Sequence, residues 1–296
     1  MDARRAALVV FLMAVPAVAA EDPVKVLVTV NGAKITGGDL EFAFLSRRVP
    51  AEERPQVRER ILSQLIDRRL MAEFLESRSA KANPDDVRNE IDRINDQIRK
   101  AGDDPAKVLP KLGYTEARLR NELSLPLAWT MHARRAITDT QLREFWETHR
   151  EEFDGTQIRA AQIFLKVPAN DDAAWQSAEE KLKTLRSEIE SGKLTFAEAA
   201  EKQSQSPSGK MGGDVGFFPY RGKMPPQFAQ TAFALKKGEL SQPFRTPFGA
   251  HLITVTDRKP GDLSLEDVRL RVFERLQQDL WDEIVRDLRA KAKIEQ

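Results

Sequence analysis

The C-terminal part of the sequence carries a long apolar stripe that a single helix cannot bury by itself. Apolar side chains recur every four residues at Val268, Val272, Leu276, Leu280, Ile284 and Leu288. This spacing forms one continuous apolar stripe along an α-helix. Because a lone helix gains most of its stability from packing, residues 262–296 need a partner. We expect that partner to be an N-terminal helical module, which would then be discontinuous in sequence.

The N-terminal part of the sequence predicts several helices between residues 40 and 150. One helix face is indicated by Leu62, Leu65, Ile66, Leu70 and Phe74. A later helix starts near Thr115, and Pro126 is expected to kink or end it. Valine-rich residues 24–30 predict one preceding strand. Residues 21–150 are therefore predicted to form an essentially all-α module, completed by the C-terminal helix.

The character of the sequence changes at residue 157. Residues 157–167 and 251–256 are rich in apolar and β-branched side chains, which predicts two strands. Between them, two helical segments precede a loop rich in glycine and proline at residues 206–228. Residues 157–258 thus predict a compact domain of ordinary size, and the fold class of the whole chain is α+β.

Charge, histidine and cysteine content exclude several classes of protein. The 47 Lys+Arg and 46 Asp+Glu residues nearly balance, which argues against a nucleic-acid-binding protein. With no cysteine, the chain has neither a disulfide nor a thiolate nucleophile. Its three histidines are scattered along the sequence, so we expect no metal site and no cofactor.

The first twenty residues have the features of a secretory signal peptide. A basic start at Arg4 and Arg5 is followed by an apolar run at residues 6–15 and by small residues up to Ala20. The apolar run is too short to span a bilayer. Residues 1–20 are therefore predicted to direct export. The favoured destination is the periplasm, and secretion from the cell is the other. An uncleaved N-terminal anchor is the alternative.

A series of short motifs follows in order through residues 157–258. They lie at residues 160–166, 196–200, 204–209, 212–216, 232–235, 238–240 and 246–253. Together they resemble the parvulin family of peptidyl-prolyl cis-trans isomerases. Residues 28–32, 64–70 and 137–139 resemble the helical module of exported chaperone-isomerases of the SurA and PrsA type. In that type, a C-terminal helix also packs on the N-terminal module.

The resemblance implies rotation about the amide bond that precedes a proline. Amide resonance sets a barrier of roughly 20 kcal/mol, and a site lowers it without a covalent step by binding the twisted form more tightly. By resemblance, Val215, Met224, Phe228 and Phe248 line an apolar pocket for the proline ring. The alternative is that these four are ordinary core residues.

The resemblance places the polar centre of the site at His251, Gln162 and Ser206, with Thr246 in support. The family usually pairs two histidines with a cysteine or aspartate. Gln162 stands at the first histidine position here, and Ser206 stands at the Cys/Asp position. Glutamine and serine form hydrogen bonds but do not titrate near neutral pH, so weak or absent isomerase activity stays open. His251 has a second interpretation as a buried structural histidine.

Two main functions follow from the sequence. The first is an exported foldase that isomerises X–Pro bonds in unfolded or nascent exported polypeptides, including outer-membrane or secreted clients. The second is a holdase chaperone whose parvulin domain binds clients with little or no isomerase activity. A weaker third alternative is an interaction domain without clients. Residues 169–172 include two aspartates, which sets aside the phosphate-directed parvulins.

Overall fold

The computed structural model describes residues 22–111, 114–168 and 171–296. The predicted signal peptide lies outside them, as does part of the loop at residues 169–172. The described chain forms two compact units. The helical unit comprises the described residues up to Thr138 together with Arg275–Gln296, and the mixed unit comprises Asp139–Glu274. Among the described residues, no helix has the length and apolar character needed to cross a membrane.

The helices and strands are numbered in chain order. They are β1 (Val26–Val30), β2 (Ala33–Thr36), α1 (Gly37–Ser46), α2 (Arg54–Ser77), α3 (Pro84–Lys100), α4 (Pro105–Lys111), α5 (Glu116–Ala136), α6 (Asp139–His149), β3 (Gln157–Lys166), α7 (Asp172–Glu190), α8 (Phe196–Gln203), β4 (Asp214–Pro219), α9 (Pro226–Ala234), β5 (Phe244–Thr246), β6 (Gly249–Lys259), α10 (Leu265–Lys291) and β7 (Ile294–Glu295). Helices and small sheets together confirm the predicted α+β class.

The helical unit contains a three-stranded antiparallel sheet in the order β2-β1-β7. Its buried side chains, among them Val28 and Val30, pack against Ile66 and Leu70 of α2. The described residues between 40 and 150 are free of strands, as predicted, but the all-α description does not extend to the unit as a whole, which contains this sheet. The sequence predicted only β1, because β7 has two residues and shows no periodicity.

α10 is one continuous helix that contributes residues to both units. From Arg275 onward it belongs to the helical unit, where Trp281 meets Trp129 of α5 edge to face at 5.2 Å between ring centroids. Arg289 donates to the backbone carbonyl of Ser63 in α2 at 2.8 Å. The earlier part of α10 belongs to the mixed unit. The prediction that all of residues 262–296 pack on the N-terminal module is therefore wrong for the residues before Arg275.

The boundary between the units also differs from the predicted module end at residue 150. α6 belongs to the mixed unit. There Phe145 contacts Phe153 with 6.1 Å between ring centroids, and Asp139 forms an ion pair with Arg269. These contacts tie α6 to the elements that follow it in sequence rather than to those that precede it.

Pro126 lies inside α5 and does not end it. A proline removes one backbone hydrogen bond from a helix interior. Buried residues on both sides of it, including Leu119 and Trp129, anchor the two halves of α5. Packing of the helix therefore outweighs the local preference for a break.

The mixed unit is built on a four-stranded antiparallel sheet in the order β4-β3-β6-β5. On one sheet face, Ile163, Leu165 and Leu252 form a core with Leu182 of α7 and residues of α8. On the other face, Ile158 and Val255 belong to a second core that includes residues of α9. The predicted strands correspond to the two central ones, β3 and β6. Of the two outer strands, β4 falls within the predicted glycine-rich loop, and β5 was not predicted.

Candidate functional site

The candidate site lies on the face of the sheet that carries the second core. Strand β6 alternates, so His251 points to the same face as Ile253 and Val255, whereas Ala250 and Leu252 point to the other. Gln162 comes from the neighbouring strand β3 and reaches His251 across the strand pair. The two central strands therefore bring together residues that are 89 positions apart in sequence.

Five side chains on this face form one continuous chain of hydrogen bonds. Thr246 Oγ1 lies 2.8 Å from Nε2 of His251, and Nδ1 of His251 lies 3.2 Å from Oε1 of Gln162. Nε2 of Gln162 donates to Oγ of Ser206 at 3.1 Å. Oγ of Ser206 lies 3.0 Å from Oγ of Ser208. The structure thus brings the four polar residues of the predicted site together, and it adds Ser208.

The direction of these bonds specifies one tautomer of His251. Oε1 of Gln162 only accepts, so Nδ1 of His251 donates its proton there. Nε2 then carries no proton and accepts from the hydroxyl of Thr246. Thr246 Oγ1 also accepts from the backbone N–H of Phe248 at 3.2 Å. Every bond in this arrangement is satisfied by a neutral imidazole.

Burial keeps His251 neutral. The residue is 5% exposed, and desolvation lowers the pKa of its imidazole to about 4. At neutral pH the ring therefore acts as a fixed dipole rather than as a proton donor of ordinary histidine acidity. The site can orient a ligand and form hydrogen bonds with it. None of the five hydrogen-bonded side chains changes charge near pH 7.

Three phenylalanine rings enclose the imidazole. Phe244 stacks on it at 5.3 Å and 19°, Phe228 meets it edge to face at 5.7 Å and 84°, and Phe164 is tilted at 4.9 Å. Phe164 and Phe244 were not predicted as site residues. Both are direct cross-strand partners of His251. Strand register would have identified them, but register depends on pairing that the sequence does not display.

The four predicted wall residues differ in how much of each reaches the surface. Phe228 is 1% exposed and belongs to the core beside His251. Val215 and Met224 are half-buried and pack against the same core. Phe248 is 65% exposed on the turn between β5 and β6. Val215 and Met224 thus contact the core and are also partly exposed to solvent, whereas Phe228 is buried and supports the site from within the core.

The glycine-rich loop is attached to β3 by a close backbone contact. The backbone N–H of Gln162 donates to the carbonyl of Gly213 at 2.9 Å. Gly213 has φ of +87°, and a Cβ there would lie 2.5 Å from the carbonyl oxygen of Gln162. Only glycine fits this position without displacing the backbone. The loop is therefore a shaped part of the site and brings Ser206 to Gln162.

The segment before Ser206 pairs with β3 where β4 has already ended. The backbone N–H of Gln205 donates to the carbonyl of Phe164 at 2.7 Å, and its side-chain Oε1 accepts from the N–H of Lys166 at 2.7 Å. Oγ of Ser204 accepts from the N–H of Phe164 at 3.0 Å. These bonds satisfy the open edge of β3 and fix the start of the loop.

Comparison with known proteins identifies the family that this part of the chain resembles. Residues 163–257 match the family model described as Rotamase, a PPIC-type PPIASE domain. "Putative peptidyl-prolyl cis-trans isomerase SurA" of Haemophilus influenzae is 40% identical over 148 residues, which cover 48% of this chain and 46% of that protein. The chain thus spans less than half of that relative's length.

Two further relatives match over more of the chain. "Probable parvulin-type peptidyl-prolyl cis-trans isomerase" of Bordetella bronchiseptica is 28% identical over 291 residues, which cover 96% of each chain. "Foldase protein PrsA 2" of Bacillus cereus is 27% identical over 210 residues, which cover 69% of this chain and 65% of that protein.

Within the described residues, no group of three or more histidine or acidic side chains is arranged to hold a metal ion.

Proposed function

The chain carries a PPIC-type domain of the parvulin family over residues 163–257, and from this premise we propose that it is an exported foldase. It would isomerise X–Pro bonds in unfolded or nascent exported polypeptides. The observation that carries the proposal is the neutral hydrogen-bonded pair of Gln162 and His251, enclosed by aromatic rings within such a domain. Residues 1–20 would direct export, and the helical unit would serve as the chaperone module.

The proposed reaction needs no charged catalyst. In a planar amide, resonance increases the dipole and shortens the C–N bond. Twisting the bond removes this resonance, so a surface that excludes water disfavours the planar form relative to water and favours the twisted one. Val215, Met224 and Phe248 would hold the proline ring, and Phe228 would support them from the core. His251, Gln162, Ser206 and Thr246 would supply fixed dipoles beside the rotating bond.

The isomerase proposal is tested with a chromogenic proline tetrapeptide and the mature chain. We expect isomerisation faster than the uncatalysed background, and a lower rate for Met224→Ala because the variant loses part of the proline-binding surface. The absence of any acceleration would overturn the proposal. Gln162→His restores the residue type that the family usually has at this position, and we expect it to raise the rate. Gln157→His, the same substitution at the exposed start of β3, is the control.

A holdase with little isomerase activity is the second candidate. The observation that favours it is that Gln162 and Ser206, which form a hydrogen bond here, stand where the family usually has a histidine and a cysteine or aspartate. A holdase would suppress aggregation of an unfolded client in the wild type and, less strongly, in Met224→Ala, which loses part of the surface that binds the client. If both suppress aggregation and neither accelerates the tetrapeptide, the second candidate replaces the first. If the wild type fails to suppress aggregation, the second candidate is wrong.

A further inference from the structure

A cleft in the helical unit lies outside the sheet site described above. It is bounded by β2, α1, α2 and α5 and has a volume of about 460 Å³, within the range of natural ligand pockets. Its floor is apolar, with buried Ile35 and Phe42 and half-buried Leu65. The ring of Phe42 is held by Tyr114, edge to face at 4.5 Å, and by the guanidinium of Arg118 at 3.9 Å from its centroid. We call this surface the α1–α2–α5 cleft.

Cations outnumber acids around the cleft. The cleft is lined by five cationic side chains: Lys34, Arg47, Arg68, Arg69 and Arg118. It is lined by two acidic ones, Asp39 and Glu122, so the formal charge of the lining is +3. Both acids already have partners. Glu122 binds Arg68 at 2.8 Å, and Asp39 binds Arg118 at 3.1 Å. Of the other three cations, Arg69 pairs with Glu73 at 3.2 Å. Lys34 and Arg47 therefore give the cleft its positive charge.

Arg47 is the cation best placed to receive an anion. It is exposed at the rim, and its Nη1 donates to the neutral amide oxygen of Gln64 at 2.5 Å. Partial desolvation lowers the pKa of Arg47, and repulsion from Arg68 lowers it further. An incoming carboxylate would relieve this repulsion and could accept two hydrogen bonds from the guanidinium.

We propose that the α1–α2–α5 cleft binds an apolar segment of an unfolded polypeptide that also carries an aspartate or glutamate. An apolar side chain would pack on Leu65 and Leu125, the half-buried leucines of the lining, and the neighbouring carboxylate would pair with Arg47. The inference rests on the client-binding part of the proposed function and names the chemistry that clients would present. A free inorganic anion would leave the apolar floor unused, and the two acids in the wall disfavour a polyanion such as nucleic acid.

The test measures binding of two labelled peptides to the full mature chain by fluorescence anisotropy. One is N-acetylated, C-amidated Ala-Leu-Glu-Phe-Glu-Leu-Ala, and the other has glutamine in place of both glutamates. We expect the acidic peptide to bind about tenfold more tightly, as a charge-assisted hydrogen bond supplies. Added salt should reduce the difference, because the rim charges are screened. Equal affinity for the two peptides would overturn the proposal.

Arg47→Gln identifies the cleft as the binding surface. Because Arg47 is exposed, the variant should fold, which circular dichroism checks. We expect it to lose most of the preference for the acidic peptide. Arg120→Gln is the matched control, since Arg120 lies on α5 but is paired with Glu116 outside the cleft at 3.0 Å. Unchanged preference in Arg47→Gln, or equal loss in both variants, would contradict the assignment.

Two additional results keep the inference separate from the isomerase proposal and from self-association. A wild-type chain that accelerates the tetrapeptide but shows no preference between the peptides overturns the cleft assignment alone. Sedimentation velocity without peptide reports whether a second copy occupies the cleft. Concentration-dependent dimers that Arg47→Gln abolishes would replace the peptide by a second copy and overturn the proposal, whereas monomers support it.

Discussion

At the scale of single residues, the site is a set of neutral groups that hold one another in place. Each side-chain bond from Thr246 through His251 and Gln162 to Ser206 fixes the orientation of the next group. The rings of Phe244 and Phe228 exclude water from the imidazole. A buried group that needs every partner is sensitive to protonation and to the loss of one hydroxyl.

Protonation of His251 should destabilise the folded chain. Its pKa is about 4 when folded, against 6.5 for the unperturbed side chain. Between these values the unfolded state binds a proton that the folded state does not, so the free energy of unfolding falls as pH falls from 6.5 toward 4. The full difference corresponds to about 3 kcal/mol. Urea unfolding at several pH values measures it.

The comparison that isolates this effect uses two histidine variants. His251→Gln should be less stable at neutral pH but should lose less stability between pH 6.5 and 4 than the wild type. His149→Gln should keep the wild-type dependence, because His149 lies on α6 and outside the site. Parallel curves for the wild type and His251→Gln would show that His251 does not titrate in this way.

Ser208 should position Gln162 through Ser206. Ser208 is 9% exposed, and its Oγ lies 3.0 Å from that of Ser206. Ser208→Ala should lower the free energy of unfolding by about 1 kcal/mol, as for one lost hydrogen bond. Because the Ser206 hydroxyl would be less constrained, we also expect kcat/KM for the tetrapeptide to fall. Rescue of kcat/KM by Ser208→Thr would support positioning, and unchanged kcat/KM in Ser208→Ala would exclude it.

At the scale of elements, the sequence predicts what depends on local order. Thr195 forms a capping box with Glu198 at the start of α8, and Asn83 caps α3; both caps follow from residues a few positions apart. Strands β3 and β6 are long enough to show apolar patterns. β4 is interrupted by Gly216 and β5 has three residues, so neither offers such a pattern. Both exist because a neighbouring strand supplies hydrogen-bond partners, which is a non-local cause.

The same distinction applies to the candidate site. The motif order places His251, Gln162, Ser206 and Thr246 by resemblance, and the structure brings all four into contact. The motif order does not reveal the rings around the imidazole or the exposure of Phe248. Those depend on the register between strands and on the turn between β5 and β6.

Gly213 should be the most sensitive glycine of the loop. Gly213→Ala would add a Cβ 2.5 Å from the carbonyl oxygen of Gln162, at φ of +87°. Strain at positive φ combined with this clash should lower the free energy of unfolding by about 3 kcal/mol. Gly222→Ala has a similar φ of +92° but meets no atom within 4 Å, so it should cost only about 1 kcal/mol. Urea unfolding that ranks the two variants equally would contradict the close contact.

At the scale of the whole molecule, each unit has its own core, and α10 contributes to both. The C-terminal apolar stripe predicted that the end of the chain packs against residues far away in sequence. Trp281 against Trp129, and Arg289 with Ser63, are contacts of this kind inside the helical unit. The sequence did not reveal that the same helix begins in the mixed unit, because the apolar spacing continues without a break from Val268.

Removal of the Trp281 side chain should therefore weaken the helical unit selectively. Trp281 is half-buried and meets Trp129 edge to face, so Trp281→Ala should lower local stability by about 2 kcal/mol. Hydrogen–deuterium exchange should become faster in β1 and α2 and stay unchanged in β3 and β6. Leu270→Ala is the control, since Leu270 lies on the same helix but is 66% exposed. Equal acceleration in β3 and β6 would show instead that α10 couples the stability of the two units, so that they unfold as one.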